Sequence, residues 1–175
     1  MGRQSRLFSI GVCVLSLLVF QALSAWGEVP VQIKMRNWLD QASSAGIENQ
    51  PGWTREEWRF GPEKRTIWMA PALGVRINEV CRANLKCEAL NELRQLYRMP
   101  HRDIEIAKTL KRLTSVNEGE GGKDPASLFC AKALFAKIYF GVSPRGNRDT
   151  FCVFEDGSAI ATGTLAVALT PMDSK

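Results

Sequence analysis

The sequence has one histidine and no cysteine pair at the short spacing of a zinc knuckle, and each shortage removes a class of chemistry. The lone His101 has no ligand-like neighbour, so neither a metal centre nor a catalytic dyad can be written around it. No phosphate-cradling glycine loop is present. His101-Arg102-Asp103 matches the kinase catalytic-loop triplet, but no lysine strand or metal-binding Asp motif accompanies it. Long apolar runs are also missing after the first 25 or so residues, so no later segment approaches the roughly 20 residues that span a bilayer. Charge of one sign is nowhere concentrated: Arg55-Glu56-Glu57 and Arg102-Asp103 interleave, which argues against a nucleic-acid partner.

What is present begins with a leader. Arg3 and Arg6 precede the mostly apolar Leu7 to Leu23, and Ala22, Ser24 and Ala25 offer a cleavage site, so residues 1–25 are expected to be a secretory signal peptide. Cys13 lies too early in that run to carry a lipid after processing. Without Arg3 and Arg6 the 23 basic residues fall to 21 against 18 acidic, and a weak preference for anionic surfaces is all that this balance permits. The expectation is a periplasmic or secreted protein with no membrane span after cleavage. Its mature chain of about 150 residues can bury one sizeable core.

Export governs how the cysteines are read. Cys81, Cys87, Cys130 and Cys152 remain, an even count that in an oxidising compartment is most simply two disulfides. Three connectivities are possible, and proximity favours Cys81 with Cys87 and Cys130 with Cys152.

From Pro30 to Ala45 the residues Val31, Met35, Trp38, Leu39 and Ala42 fall on one helical face, although Val29 to Met35 also alternates like a strand. Gly46 would end the helix. After the loop at Pro51-Gly52, Thr54 to Phe60 and Arg65 to Met69 predict a hairpin around Gly61 to Lys64. Trp58 and Trp68 are its large aromatics, either core or a binding surface. Val75 to Met99 carries a helical pattern through Leu85, Ala89, Leu93, Leu96 and Tyr97. A Cys81–Cys87 bond cannot form within an unbroken helix, because six residues rise about 9 Å while the α-carbons must lie within about 7 Å. The chain must then turn near Ala83-Asn84, with Asn84 as N-cap of a helix over 85–98. A further amphipathic helix is expected from His101 to Leu113, and the glycine-rich 115–123 reads as a linker. These choices divide the mature chain into 26–114 and 124–175.

The last unit opens at Asp124-Pro125, a carboxylate N-cap followed by proline at the first helical position. A helix to about Leu134, a strand over 135–142, the polar turn 143–149 and a strand over 150–154 follow. A Cys130–Cys152 bond would pin one face of that hairpin to the helix. Asp156-Gly157 is a tight turn, and Gly163 with Thr162 and Thr164 favours a final strand over 158–169.

Asp124-Pro-Ala-Ser, Cys130, Cys152-Val-Phe and Asp156-Gly-Ser, in that order, give residues 122–160 a resemblance to a small bacterial envelope domain of unknown function whose members are often labelled haemolysins. This chain has Leu134-Phe135 where that family usually has Gly-Gly, and Ala159-Ile160-Ala161 where it has an acidic pair with Trp. The resemblance implies an exported, disulfide-containing domain.

The fold class expected is therefore α+β, with several amphipathic helices, two short antiparallel hairpins and a disulfide-stapled C-terminal unit. No catalytic residue, metal ligand or cofactor is assigned. The function expected is a non-catalytic binding module for a protein or cell-envelope component, with Trp58, Trp68, Asp156 and Gly157 as its candidate surface. A small envelope hydrolase, or an inhibitor of one, is the alternative.

Overall fold

The computed structural model describes residues 29–41, 52–83, 85–116 and 124–172. Val31–Lys175 is one compact unit and Met1–Pro30 another. The leader, the helix end at Gly46, Asn84 and most of the linker lie outside the described residues. Helix α1 (Val31–Gln41) buries Met35, Trp38 and Leu39 of the expected stripe; Val31 is half-buried, and Ala42 lies outside the described residues. Strands β1 (Thr54–Phe60) and β2 (Glu63–Ala70) follow, with Phe60 opposite Glu63, so the turn is Gly61-Pro62 rather than four residues. A single 3-10 turn, Pro71–Leu73, leads to β3 (Val75–Asn78) and the short α2 (Val80–Ala83). Then come α3 (Glu88–Arg98), α4 (Arg102–Val116), α5 (Pro125–Lys132), β4 (Lys137–Val142), β5 (Arg148–Val153), β6 (Ala159–Ala161) and α6 (Thr162–Leu169).

The mixed helix-and-strand character stands, but the two hairpins are not separate. They are parts of one closed antiparallel barrel in the order β1-β2-β3-β6-β5-β4. Three of its strands precede residue 117 and three follow residue 123. Closure comes from two short strands. Val75–Asn78, expected within a helical stretch, alternates Val75 and Ile77 on one face and pairs with β2. Ile77 then meets Ile160 of β6. Arg59 meets Val142 at the other seam. Closing the sheet removes the free edges that two isolated hairpins would leave exposed.

The segment 158–169 is strand only over Ala159–Ala161, and Thr162–Leu169 is helix. Tertiary burial outweighs propensity there: Leu165, Ala168 and Leu169, at helical spacing, are all in the core, and Gly163 faces open space.

The barrel wall separates two cores. Inside lie Trp58, Phe60, Ile67, Phe151, Val153, Ala159 and Ala161, with Trp58 and Phe60 edge-on to Phe151 at 5.4 and 4.9 Å. Outside, the helices cover Trp68, Val75, Ile77, Cys152 and Ile160. Both disulfides stitch this outer layer: Cys81 is bonded to Cys87, and Cys130 of α5 to Cys152 of β5, with α-carbons 5.2 and 5.8 Å apart. The second bond pins the outer sheet face to a helix, as its strand position predicts.

Candidate functional site

Asp156 and Gly157, expected at a binding surface, are tied into the fold. Helix α3 begins after Cys87, whose side chain makes no cap, and its first amides find acceptors across the molecule. Glu88 N–H donates to Asp156 Oδ2 at 2.8 Å and Ala89 N–H to Ser158 Oγ at 3.0 Å. Asp156 Oδ1 also accepts from Ser158 N–H at 2.8 Å. The turn is gripped from its other side by the buried Asn78, which donates to the Gly157 carbonyl at 2.8 Å and accepts from Ala159 N–H at 2.9 Å. Burial pushes the Asp156 carboxyl up, but hydrogen bonds from Glu88 and Ser158 outweigh it and hold the group below the usual carboxylate range. The N-cap expected at Asn84 is thus replaced by a cap from the 156–158 turn, three residues further along the helix.

The two tryptophans are divided by the barrel wall. Trp58 is inside and buried; Trp68 is on the outer face, also buried, its Nε1 donating to Glu79 Oε2 at 2.6 Å while Arg82 pairs with Glu79 and lies 5.2 Å over the indole. They form no common surface.

Other polar groups are structural as well. Buried Arg102 lies 5.0 Å over the Tyr97 ring, pairs with Asp103 and donates to the carbonyls of Ala168, at the end of α6, and Thr170, just past it. Burial pushes the Tyr97 hydroxyl up to about 12, with Arg102 opposing. Glu92 is raised by burial and by Glu88 one turn before it on α3. Glu56 and Glu57, adjacent carboxylates that a hydrolase with a paired acid and base would need on one side, point to opposite faces of β1. Among the described residues no group of three or more His, Cys, Asp or Glu is placed to hold a metal ion.

A cleft of about 550 Å³ lies between α1, the 3-10 turn and the chain entering β1. Trp38 and Trp53 form its aromatic wall, with ring centroids 5.4 Å apart and planes inclined at 44°. Ala70 and Leu73 extend the apolar floor, and Lys34, Asn37 and Gln41, at helical spacing on α1, bring an ammonium and two amides to the rim. No family model, curated protein or solved structure matches the chain. The cleft therefore has to be read from its own chemistry. Apolar walls with a few convergent polar groups are the usual composition of a ligand site. Trp38 is legible in the sequence as helix core and Trp53 as a loop residue; only the fold brings the two indoles together. The one local signal is a tryptophan directly after the turn residues Pro51-Gly52.

Proposed function

We propose that the protein is an exported, non-catalytic binding module that holds a saccharide-bearing cell-wall component in the Trp38–Trp53 cleft. The observation that carries this reading is the half-buried Trp53 indole, backed by the buried Trp38, beside an amide-lined rim. A pyranose ring has the matching character: its axial C–H faces are apolar and pack on indole, and its edge of hydroxyls meets amide donors and acceptors. The leader-like N-terminus and the two disulfides support export. The resemblance of residues 122–160 to an envelope domain points the same way. A hydrolase has less in its favour, because Asp156 is committed to capping a helix and Glu56 and Glu57 diverge.

Titrating the protein with soluble peptidoglycan fragments while following tryptophan emission tests this. Saturable change in the native protein, abolished by Trp53→Ala and weakened by Asn37→Ala, is the expected outcome. Unchanged emission at all concentrations, or saturation that persists in Trp53→Ala, contradicts it.

A further inference from the structure

One face of the barrel carries a row of side chains that folding does not account for. Lys64 stands opposite Arg59, Arg59 opposite Val142 and Val142 opposite Arg148, so four adjacent strands contribute one line of neighbours. All four point outward. Trp58 and Phe60, on either side of Arg59, are inside the barrel; a Cβ on Gly141 would meet Phe151, Phe60 and Trp58; and Phe151 and Val153 fix the opposite parity for Arg148. At roughly 4.8 Å between strands, like charges directly opposed are destabilising. Lys64 is offset by Glu57 at 2.9 Å, whereas Arg59 and Arg148 make no ion pair among the described residues.

Phe140 lies two residues from Val142 on the same outer face and is 72% exposed. A recess of about 400 Å³, lined by Arg59, Lys64 with its partner Glu57, and Val142 to Pro144 with Gly146, opens between the two hairpin tips. The helical layer covers the outer face elsewhere, over Cys152 and Ile160, while the outward positions Arg55, Glu57 and Arg59 of β1 are all exposed.

We propose that this face docks the protein onto an anionic lipid surface, with Arg59 and Arg148 at the phosphates and Phe140 among the upper acyl chains. The charge is complementary, and an exposed phenylalanine beside guanidinium groups that have no ion pair among the described residues is the composition of an interfacial contact. A single-stranded nucleic acid would call for a succession of stacking aromatics, and the row offers none beyond Phe140. The docking face lies apart from the Trp38–Trp53 cleft and does not depend on what that cleft binds; it rests on the export reading only for the presence of a membrane.

The test is sedimentation of the purified, processed chain with phosphatidylcholine vesicles that either contain or lack phosphatidylglycerol, at low and high salt. Binding is expected to the anionic vesicles alone and to be lost at high salt. The Arg59→Glu/Arg148→Glu double variant should partition several-hundred-fold less, at roughly fivefold for each of the four units of charge changed, and Phe140→Ser several-fold less. All forms should melt as the native protein does, because the three side chains are at the surface. If the charge reversals disturb folding, the neutral Arg59→Gln/Arg148→Gln variant supplies the comparison, with an expected loss of about 30-fold. All forms share one N-terminus, so differences among them report on this face. Equal partitioning of native and double-variant protein overturns the proposal, as does binding to an oligonucleotide without binding to vesicles. Wall-fragment titration of the double variant should remain unchanged, so failure of either reading is visible separately.

Discussion

Two glycines inside regular elements face opposite surroundings. A Cβ at Gly141 would come within 2.9 Å of Phe151 Cε2 and 3.1 Å of both Phe60 Cζ and Trp58 Cε3, three rings that are already buried against one another. Gly141→Ala should cost about 1–3 kcal/mol by overpacking the barrel. Gly163, in the first turn of α6, has nothing within 4 Å of such a Cβ, and Gly163→Ala should leave stability unchanged or raise it by up to about 1 kcal/mol. Urea midpoints of the two variants check both. At the same scale the sequence is a poor guide: Gly141 within Tyr-Phe-Gly-Val reads only as an interruption of a strand, because the rings that demand it come from β1 and β5.

Helix α3 shows how elements depend on one another. Of its expected stripe, Ala89, Leu93, Leu96 and Tyr97 are buried, whereas Leu85 lies before the helix and is half-buried; Leu90, which the expectation left out, is buried with them. The start of the helix is not legible in the sequence, because the acceptors that cap it come from residues 156 and 158, about 70 positions away. By contrast, Asp124-Pro125 is legible because the cap is local: Asp124 Oδ1 accepts from Ala126 N–H at 2.9 Å and Ser127 N–H at 3.2 Å. Asp156→Ala should destabilise the fold by about 1 kcal/mol. The pH dependence has a definite sign. The native Asp156 carboxyl titrates below its unfolded value, so its contribution is fully present above the ordinary carboxylate range and is lost as pH falls through the native value. Asp156→Asn should flatten the acid limb of stability against pH, read as thermal midpoints across that range. An unchanged acid limb would mean that the cap is not held by charge.

For the whole molecule, hydrophobic alternation makes the strands of both hairpins legible, and chemistry of compartment suggests the disulfides. Closure into a barrel is not legible, because it rests on β3 and β6, four and three residues long, whose single shared pairing is Ile77 with Ile160. Strands that short carry too little periodicity to be told from a neighbouring helix. Closure in turn decides the fate of the aromatics. It places Trp58 inside and Trp68 under the helices, and leaves Trp53, which no strand claims, against Trp38 at an open cleft.

That division of the tryptophans is the centre of this account, and one paired comparison tests it: retention on purified cell-wall sacculi, with thermal melting alongside, for Trp53→Ala and Trp58→Ala. The account predicts that Trp53→Ala melts cooperatively within a few degrees of the native protein and is no longer retained. Trp58→Ala should lose roughly 3–5 kcal/mol and with it the folded state. A Trp53→Ala protein that is still retained, or a Trp58→Ala protein that folds normally and is not, would contradict it.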